Sequence, residues 1–239
     1  MAEEKTEPKY ERALVISAHP DDPEFGQGGT VGKLAAEGVE VTYVVCTDGS
    51  EGGEDPAVAD AELSEVRYRE QRAAAAVLGV KEVQFLGLPD GRLTPSIELR
   101  RELTRMIRRF RPDIVFTHSP VINLAVPIGA YHADHLAVGQ ATLAAVYPAS
   151  RNPRAFRELL EEGLEPWRVK EVWIGSWIEG DHYVDISSSI EKKIAAIMAH
   201  QSQTANWRDM EKNMRDRHAS AKDRSGFEYT EVFRRILTP

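Results

Sequence analysis

The strongest constraint on this chain is a repeated change of hydrophobic period. Compact runs rich in Val and Ile at 13–18, 39–47, 82–88 and 113–118 read as strands. The longer stretches at 30–37, 61–78 and 96–110 read as helices, with Gly38 and Gly79 where helix C-termini belong. A fourth helix is expected from just after His132 to about Tyr147. This β-α-β-α order predicts an α/β, Rossmann-like fold: a mostly parallel sheet with helices on both faces. Past 147 the pattern loosens. A polar stretch at 150–165 carries one short helix at 156–162, and strand character resumes at 170–176 and 182–186. Ser188 and Glu191 have capping-box spacing ahead of a helix with Ile190, Ile194 and Ile197 on one face. The densely charged segment 207–224 reads as an exposed helix, a lid or an oligomer contact. No linker marks a boundary, so residues 1–239 are expected to form a single domain, with a core at about 12–147 and a C-terminal elaboration at about 148–239.

Composition removes several classes of function. Thirty Lys and Arg against 38 Asp and Glu give a net charge of −8, which argues against nucleic-acid or anionic-membrane partners. Apolar runs such as 73–80 fall well short of the ~20 residues that span a bilayer. The charged N-terminal stretch reads as neither signal peptide nor anchor. Cys46 is the only cysteine, which excludes an internal disulfide framework and a cysteine-based zinc site. The expectation is a cytoplasmic protein with a small-molecule substrate.

In an open parallel sheet, ligands bind beyond the carboxyl ends of the strands. The polar outliers cluster there. His19-Pro20-Asp21-Asp22 follows the first strand, Thr47-Asp48-Gly49 the second, Asp90 the third, and His118 closes the fourth and flanks the site. Pro20 cannot continue a central strand, so the chain must turn after His19. That turn lets His19 and Asp22 converge while Asp21 faces elsewhere. A catalytic zinc usually takes three protein ligands and a water, so a third His or acid is needed. Tyr131-His132-Ala133-Asp134-His135 offers two histidines three apart on one helical face. Two histidines and a carboxylate also suit Fe2+ or another divalent metal.

These residues resemble a known family. AHPDDPEFGQGGT at 18–30 and YHADH at 131–135 are similar to the PIG-L/LmbE-like zinc-dependent N-deacetylases, and TDGSEGG, EVRYRE, LGLPDGRL and AHQSQ extend the resemblance over most of the chain. The resemblance implies a hydrolase that removes an N-acyl group, usually acetyl, from an N-acetylglucosamine-like substrate by attack of a metal-bound water. It implies His19, Asp22 and His135 as Zn2+ ligands, Asp21 as general base, and His132 as the residue that stabilises the transition state or acts as acid. Arg67 and Asp90 would hydrogen-bond sugar hydroxyls. The resemblance is also compatible with a homo-oligomer.

Some residues carry a second reading. Asp134 either orients a histidine beneath the metal or caps its helix. Arg67 falls on a stripe with Leu63, Glu70, Ala74 and Val77, where an ion pair with Glu70 is the plainer account. Cys46 reads as a small buried strand residue, and Gly26-Gln27-Gly28-Gly29 as close backbone packing because G-x-G-x-x-G spacing is absent. His200 and Gln203 read as packing around a pocket or an oligomer contact, while His182 and His218 receive no role. The apolar loop 120–130 is expected to shape the substrate pocket. The alternatives are a hydratase that adds water to an unsaturated acid on the same scaffold, and a non-catalytic nucleotide-binding module.

Overall fold

Strand β1 (Arg12–Ser17) pairs in parallel with β2 (Glu40–Thr47) on one side and β4 (Ile114–Thr117) on the other. That places the switch in strand order at the carboxyl end of β1, where a crevice opens. The computed structural model describes residues 10–122, 124, 128, 131–175 and 180–239. Among them a seven-stranded sheet runs β3-β2-β1-β4-β5-β7-β6, with β3 at Glu82–Leu88, β5 at Glu171–Gly175, β6 at His182–Asp185 and β7 at Thr230–Leu237. The first five positions are parallel, and β7 runs antiparallel to both β5 and β6.

Alternation along β1 assigns its two faces. Leu14 and Ile16 join Val44, Val115, Leu103, Ile107, Val138 and Ala141 beneath helices α3 (Ile97–Phe110) and α4 (Ala133–Ala144). Ala13 and Val15 join Tyr43, Ala74, Leu78, Phe116, Trp173 and Phe233 on the face covered by α1 (Asp22–Ala36) and α2 (Asp60–Leu78). Three expected helix ends have their physical cause in place. Gly79 and Gly38 adopt φ of 82° and 89°, which L residues resist, and the Ser96 side chain accepts from Leu99 N at the start of α3.

Five features depart from the sequence reading. Helix α1 begins at Asp22 rather than at 30, and it breaks at Gln27 (φ −138°, ψ 17°). Glycine-rich sequence favours helix poorly; here the helix past the break is capped from far away, by Glu231 carboxylate oxygens accepting from Gly29 N (2.8 Å) and Thr30 N (2.7 Å). The capping box at Ser188 is absent. Helix α6 (Ile190–Met198) starts after Ser189, whose hydroxyl donates to Gly29 O, and Glu191 pairs with Arg215. Gly29 touches this region so closely that a Cβ would lie 2.7 Å from Ile186 Cδ1, which accounts for the glycine at that position. The charged segment at 207–224 forms α8 (Met210–Ala219), with Met210 and Met214 buried against Ile186, Ile190, Ile194 and Ile197 and its charges turned outward. Strand β7 was unforeseen: TEVFRRIL mixes charges into the run, and only its first four residues are buried. The expected helix at 156–162 is a single turn, α5 (Glu158–Glu161), and the strand end expected at Ser176 lies outside the described residues. The short helices α7 (Gln201–Thr204) and α9 (Lys222–Ser225) complete the chain.

Candidate metal centre

The buried run that begins in β1 continues through Ala18 and His19 to Pro20, where the turn sends the chain back over the sheet edge. Asp22 opens α1 one turn later, and its Oδ2 accepts from His19 N at 2.7 Å. This contact ties both side chains to one point. His19 Nδ1 lies 3.3 Å from Asp22 Oδ2 and 3.2 Å from His135 Nε2, and Asp22 Oδ1 lies 3.0 Å from the same His135 nitrogen. His135 comes from the first turn of α4, more than a hundred residues away. Tetrahedral bonds of 2.0–2.1 Å place ligand atoms about 3.3 Å apart, so this triangle has the edge length that a zinc-sized cation requires. The donor set fits such an ion.

The electrostatics point the same way. Burial disfavours a charged His19, yet Asp22 and Asp90 outweigh it and lift the pKa from 6.5 to about 11. Burial also opposes the Asp22 carboxylate, but His135 holds it well below the usual carboxylate range. His135 is raised because Asp22 offsets its burial. The cluster therefore holds positive charge at its centre as a proton, and a cation arriving there displaces it.

Around the triangle the remaining atoms are spoken for. His19 Nε2 faces Asp90 Oδ1 at 3.0 Å and Asp134 Oδ2 at 3.3 Å, a carboxylate backing that fixes the ring with Nδ1 outward. Asp134 is fully buried and accepts from Gly91 N (2.9 Å) and Leu93 N (3.0 Å). A second possible metal group, His19, His132 and Asp134, shares a carboxylate that already accepts from two backbone amides. His132 itself caps α4, its Nδ1 accepting from Asp134 N at 3.2 Å, which leaves the ring's proton on Nε2. It is exposed at the rim, edge-on to His19, and burial followed by the His19 charge lowers its pKa. His118 stacks on His135 with ring centroids 4.0 Å apart and accepts from Ala18 N through Nε2. Burial lowers its pKa, in keeping with that acceptor role.

Asp21 makes none of the triangle's contacts. Its backbone takes φ 102°, in the left-handed region, and its Oδ2 lies 3.2 Å from Arg67 Nη2. Burial and the adjacent Asp22 charge push its pKa up to about 7, with Arg67 pulling the other way. Arg67 makes no ion pair with Glu70, which accepts from Ser202 instead. Its guanidinium donates to Pro20 O (2.6 Å) and Gly49 O (2.8 Å), clamping the two loops that follow β1 and β2. Asp90 accepts from Glu51 N, so both residues expected on sugar hydroxyls are buried with partners inside the protein. The stripe drawn through Glu70 and Val77 is off by one position. The buried face of α2 is Ser64, Arg67, Gln71, Ala74, Ala75 and Leu78, with Val77 exposed.

Gln71 and Glu24 went unrecognised in the sequence. Gln71 accepts from Asp21 N, and Glu24 binds both Gln71 and His200. The signal was present: Gln71 sits four residues past Arg67, on the same helical face. His200 is wholly buried, Gln203 donates to Gly52 O, and Cys46 is a buried strand residue whose thiol pKa burial drives upward. In the loop 120–130, Val121, Ile122, Leu124 and Ile128 are exposed, and the other six residues of 121–130 apart from these lie outside the described residues. Among the described residues no helix is long and apolar enough to cross a membrane.

Comparison with known proteins completes the picture. The family model for PIG-L, GlcNAc-PI de-N-acetylase, matches residues 14–146. The diacetylchitobiose deacetylase of Thermococcus kodakarensis is 36% identical over 192 residues, covering 80% of this chain and 70% of the relative. The 1D-myo-inositol 2-acetamido-2-deoxy-alpha-D-glucopyranoside deacetylase of Actinosynnema mirum is 33% identical over 243 residues, 83% of this chain and 82% of the relative. The N,N'-diacetylchitobiose deacetylase structure from Pyrococcus horikoshii superposes with a TM-score of 0.87 at 32% identity, covering 96% of this chain and 85% of that one. This chain belongs to the PIG-L de-N-acetylase family.

Proposed function

We propose, from the premise of that family membership, that this protein is a zinc-dependent hydrolase that removes the N-acetyl group from a small N-acetylglucosamine conjugate. The observation that carries the reading is the 3.0–3.3 Å triangle of His19 Nδ1, Asp22 and His135 Nε2, with Asp21 held just outside it by Arg67. Zinc bound by those three side chains supplies Lewis acidity, which acidifies water and polarises the acyl oxygen.

The chain's own residues supply the rest. Asp21 takes the proton of the attacking water as the new C–O bond forms, and returns it to the departing nitrogen as the C–N bond breaks. His132, with Nδ1 engaged by Asp134 N, turns Nε2–H toward the crevice, where it donates to the oxygen that gains charge. Asp134 and Asp90 keep His19 oriented. For the sugar, Arg67 Nη1 and Asp90 Oδ2 stand 3.9 Å apart, too far for a hydrogen bond with each other. Both are buried and already bonded inside the protein, so a sugar hydroxyl would reach them only through the hydrogen-bonding capacity that those partners leave spare.

The test is amine release from N-acetylglucosamine conjugates, diacetylchitobiose first, by zinc-loaded protein. Asp21→Asn is expected to keep its metal by elemental analysis while turnover falls by ~10²–10⁴-fold. Loss of metal together with turnover would overturn the division of labour between the two aspartates. Water addition to an unsaturated acid with no amine release would replace the deacetylase reading by the hydratase one.

A further inference from the structure

Behind Asp21 runs a chain of buried polar side chains that the reaction above does not use. Asp21 holds a φ of 102°, a conformation that costs a non-glycine residue on the order of 1–3 kcal/mol and persists only where its surroundings impose it. Its N–H donates to Gln71 Oε1 at 2.8 Å. Gln71 Nε2 donates to both oxygens of Glu24, at 3.0 and 3.1 Å. Glu24 Oε2 lies 3.0 Å from His200 Nε2, and Gln71, Glu24 and His200 have no solvent exposure. We infer that Gln71, Glu24 and His200 form a positioning relay that carries the C-terminal part of the chain into the turn holding Asp21.

The direction of the relay follows from donor chemistry. A carboxylate only accepts, so Glu24 forces the Gln71 amide to present its NH2 inward and its oxygen to Asp21. His200 fixes the carboxylate from the far side, and it sits immediately ahead of α7, at the point where the chain leaves α6. Arg67 grips Asp21 from the other side, through Oδ2 and the preceding carbonyl. The strained backbone and the carboxylate are thus held independently, and Asp22 stays free to fold back on His19. None of the three relay residues touches the triangle's ligand atoms in any described contact, so the relay acts through Asp21.

The inference rests on the hydrolase reading for its kinetic consequence, but its structural consequence stands alone. Gln71→Glu sets two carboxylates against each other about 3 Å apart, while Gln71→Glu combined with Glu24→Gln reverses the donor–acceptor order and, with the same net charge, restores the links to Asp21 and His200 and one of the two contacts between positions 71 and 24. In zinc-loaded protein, Gln71→Glu is expected to lower kcat by about 10- to 100-fold with KM and metal content held, the scale of a roughly 1 Å misplacement. The double variant is expected to recover most of it. Hydrogen exchange at the Asp21 amide is expected to follow the same pattern, faster in the single variant and restored in the double. Should Gln71→Glu fail to fold, Gln71→Met removes both polar atoms without adding charge and is expected to give the same split. Unchanged kcat and unchanged Asp21 exchange in a folded variant, or no recovery in the double, would overturn the relay. If wild-type protein releases no amine, the hydrolase reading fails and the exchange pattern still decides the relay.

Discussion

Both segments of the broken helix α1 meet buried charge, and they meet it in opposite ways. Beyond the break, Glu231 receives Lys193 Nζ (2.6 Å) and the amides of Gly29 and Thr30, and Lys193 donates also to Phe25 O. Each charge there has a partner of opposite sign and nothing is left over. Before the break, Asp22 and the nitrogens of His19 and His135 converge as lone pairs on a common point, and only a proton or a cation relieves them. A buried charge cluster that closes on itself is architecture, whereas one that closes only around an added positive charge is a binding site. Identity of residue type does not separate the two; the hydrogen-bond balance does.

The comparison can be broken most directly at Asp22. Asp22→Asn removes the charge that draws the triangle together, and the variant is expected to lose both bound zinc and turnover while remaining folded, read by elemental analysis beside circular dichroism. Retained zinc at full stoichiometry would mean that the triangle is not the metal centre. Glu231→Leu should do the reverse. It leaves Lys193 unpaired, and breaking a buried pair in this way costs about 3–5 kcal/mol, seen as a lower urea midpoint, with metal stoichiometry intact in the folded fraction. Adding Lys193→Met should regain much of that stability, because a closed pair can be replaced by apolar volume.

A smaller effect sharpens the contrast through pH. His218, buried beside the same pair and bonded at Nδ1 to Thr230 O, has a pKa lowered from 6.5 to about 4 by burial and then by the Lys193 charge. Between those values the unfolded chain binds the proton and the folded chain does not. Its contribution is therefore complete above pH 6.5 and is lost as pH falls toward 4, by about 3 kcal/mol in all. His218→Gln should flatten the acid limb of the stability curve over that interval. An unchanged limb would show that another group sets it.

How much was legible beforehand differs between elements. The central parallel strands declared themselves, because a strand buried on both faces needs a short continuous apolar run, as β1, β2 and β4 have. Strand β7 did not, because its covered half includes the buried charge of Glu231 and its less covered half carries Arg234 and Arg235. On α2 the charge on the buried face was visible at Arg67, but the face itself was misdrawn by one residue, so Glu70 was weighed and Gln71 was passed over. The short motif around His19 gave the residue types of the cluster. The turn at Asp21, with its positive φ, has no mark in composition, since nothing local favours it and the fixing partners lie about 50 residues on, at Arg67 and Gln71.

By itself the sequence determined the layer architecture and the chemistry on offer: hydrophobic periodicity is local, and His, Asp and Pro keep their ligand and turn properties wherever they stand. Tertiary structure alone decided which nitrogen of each ring faces inward, how Asp21 is held in its positive φ, and that β7 reaches back to cap the broken helix. Those outcomes depend on distances between groups far apart along the chain, and such distances exist only once the sheet is assembled.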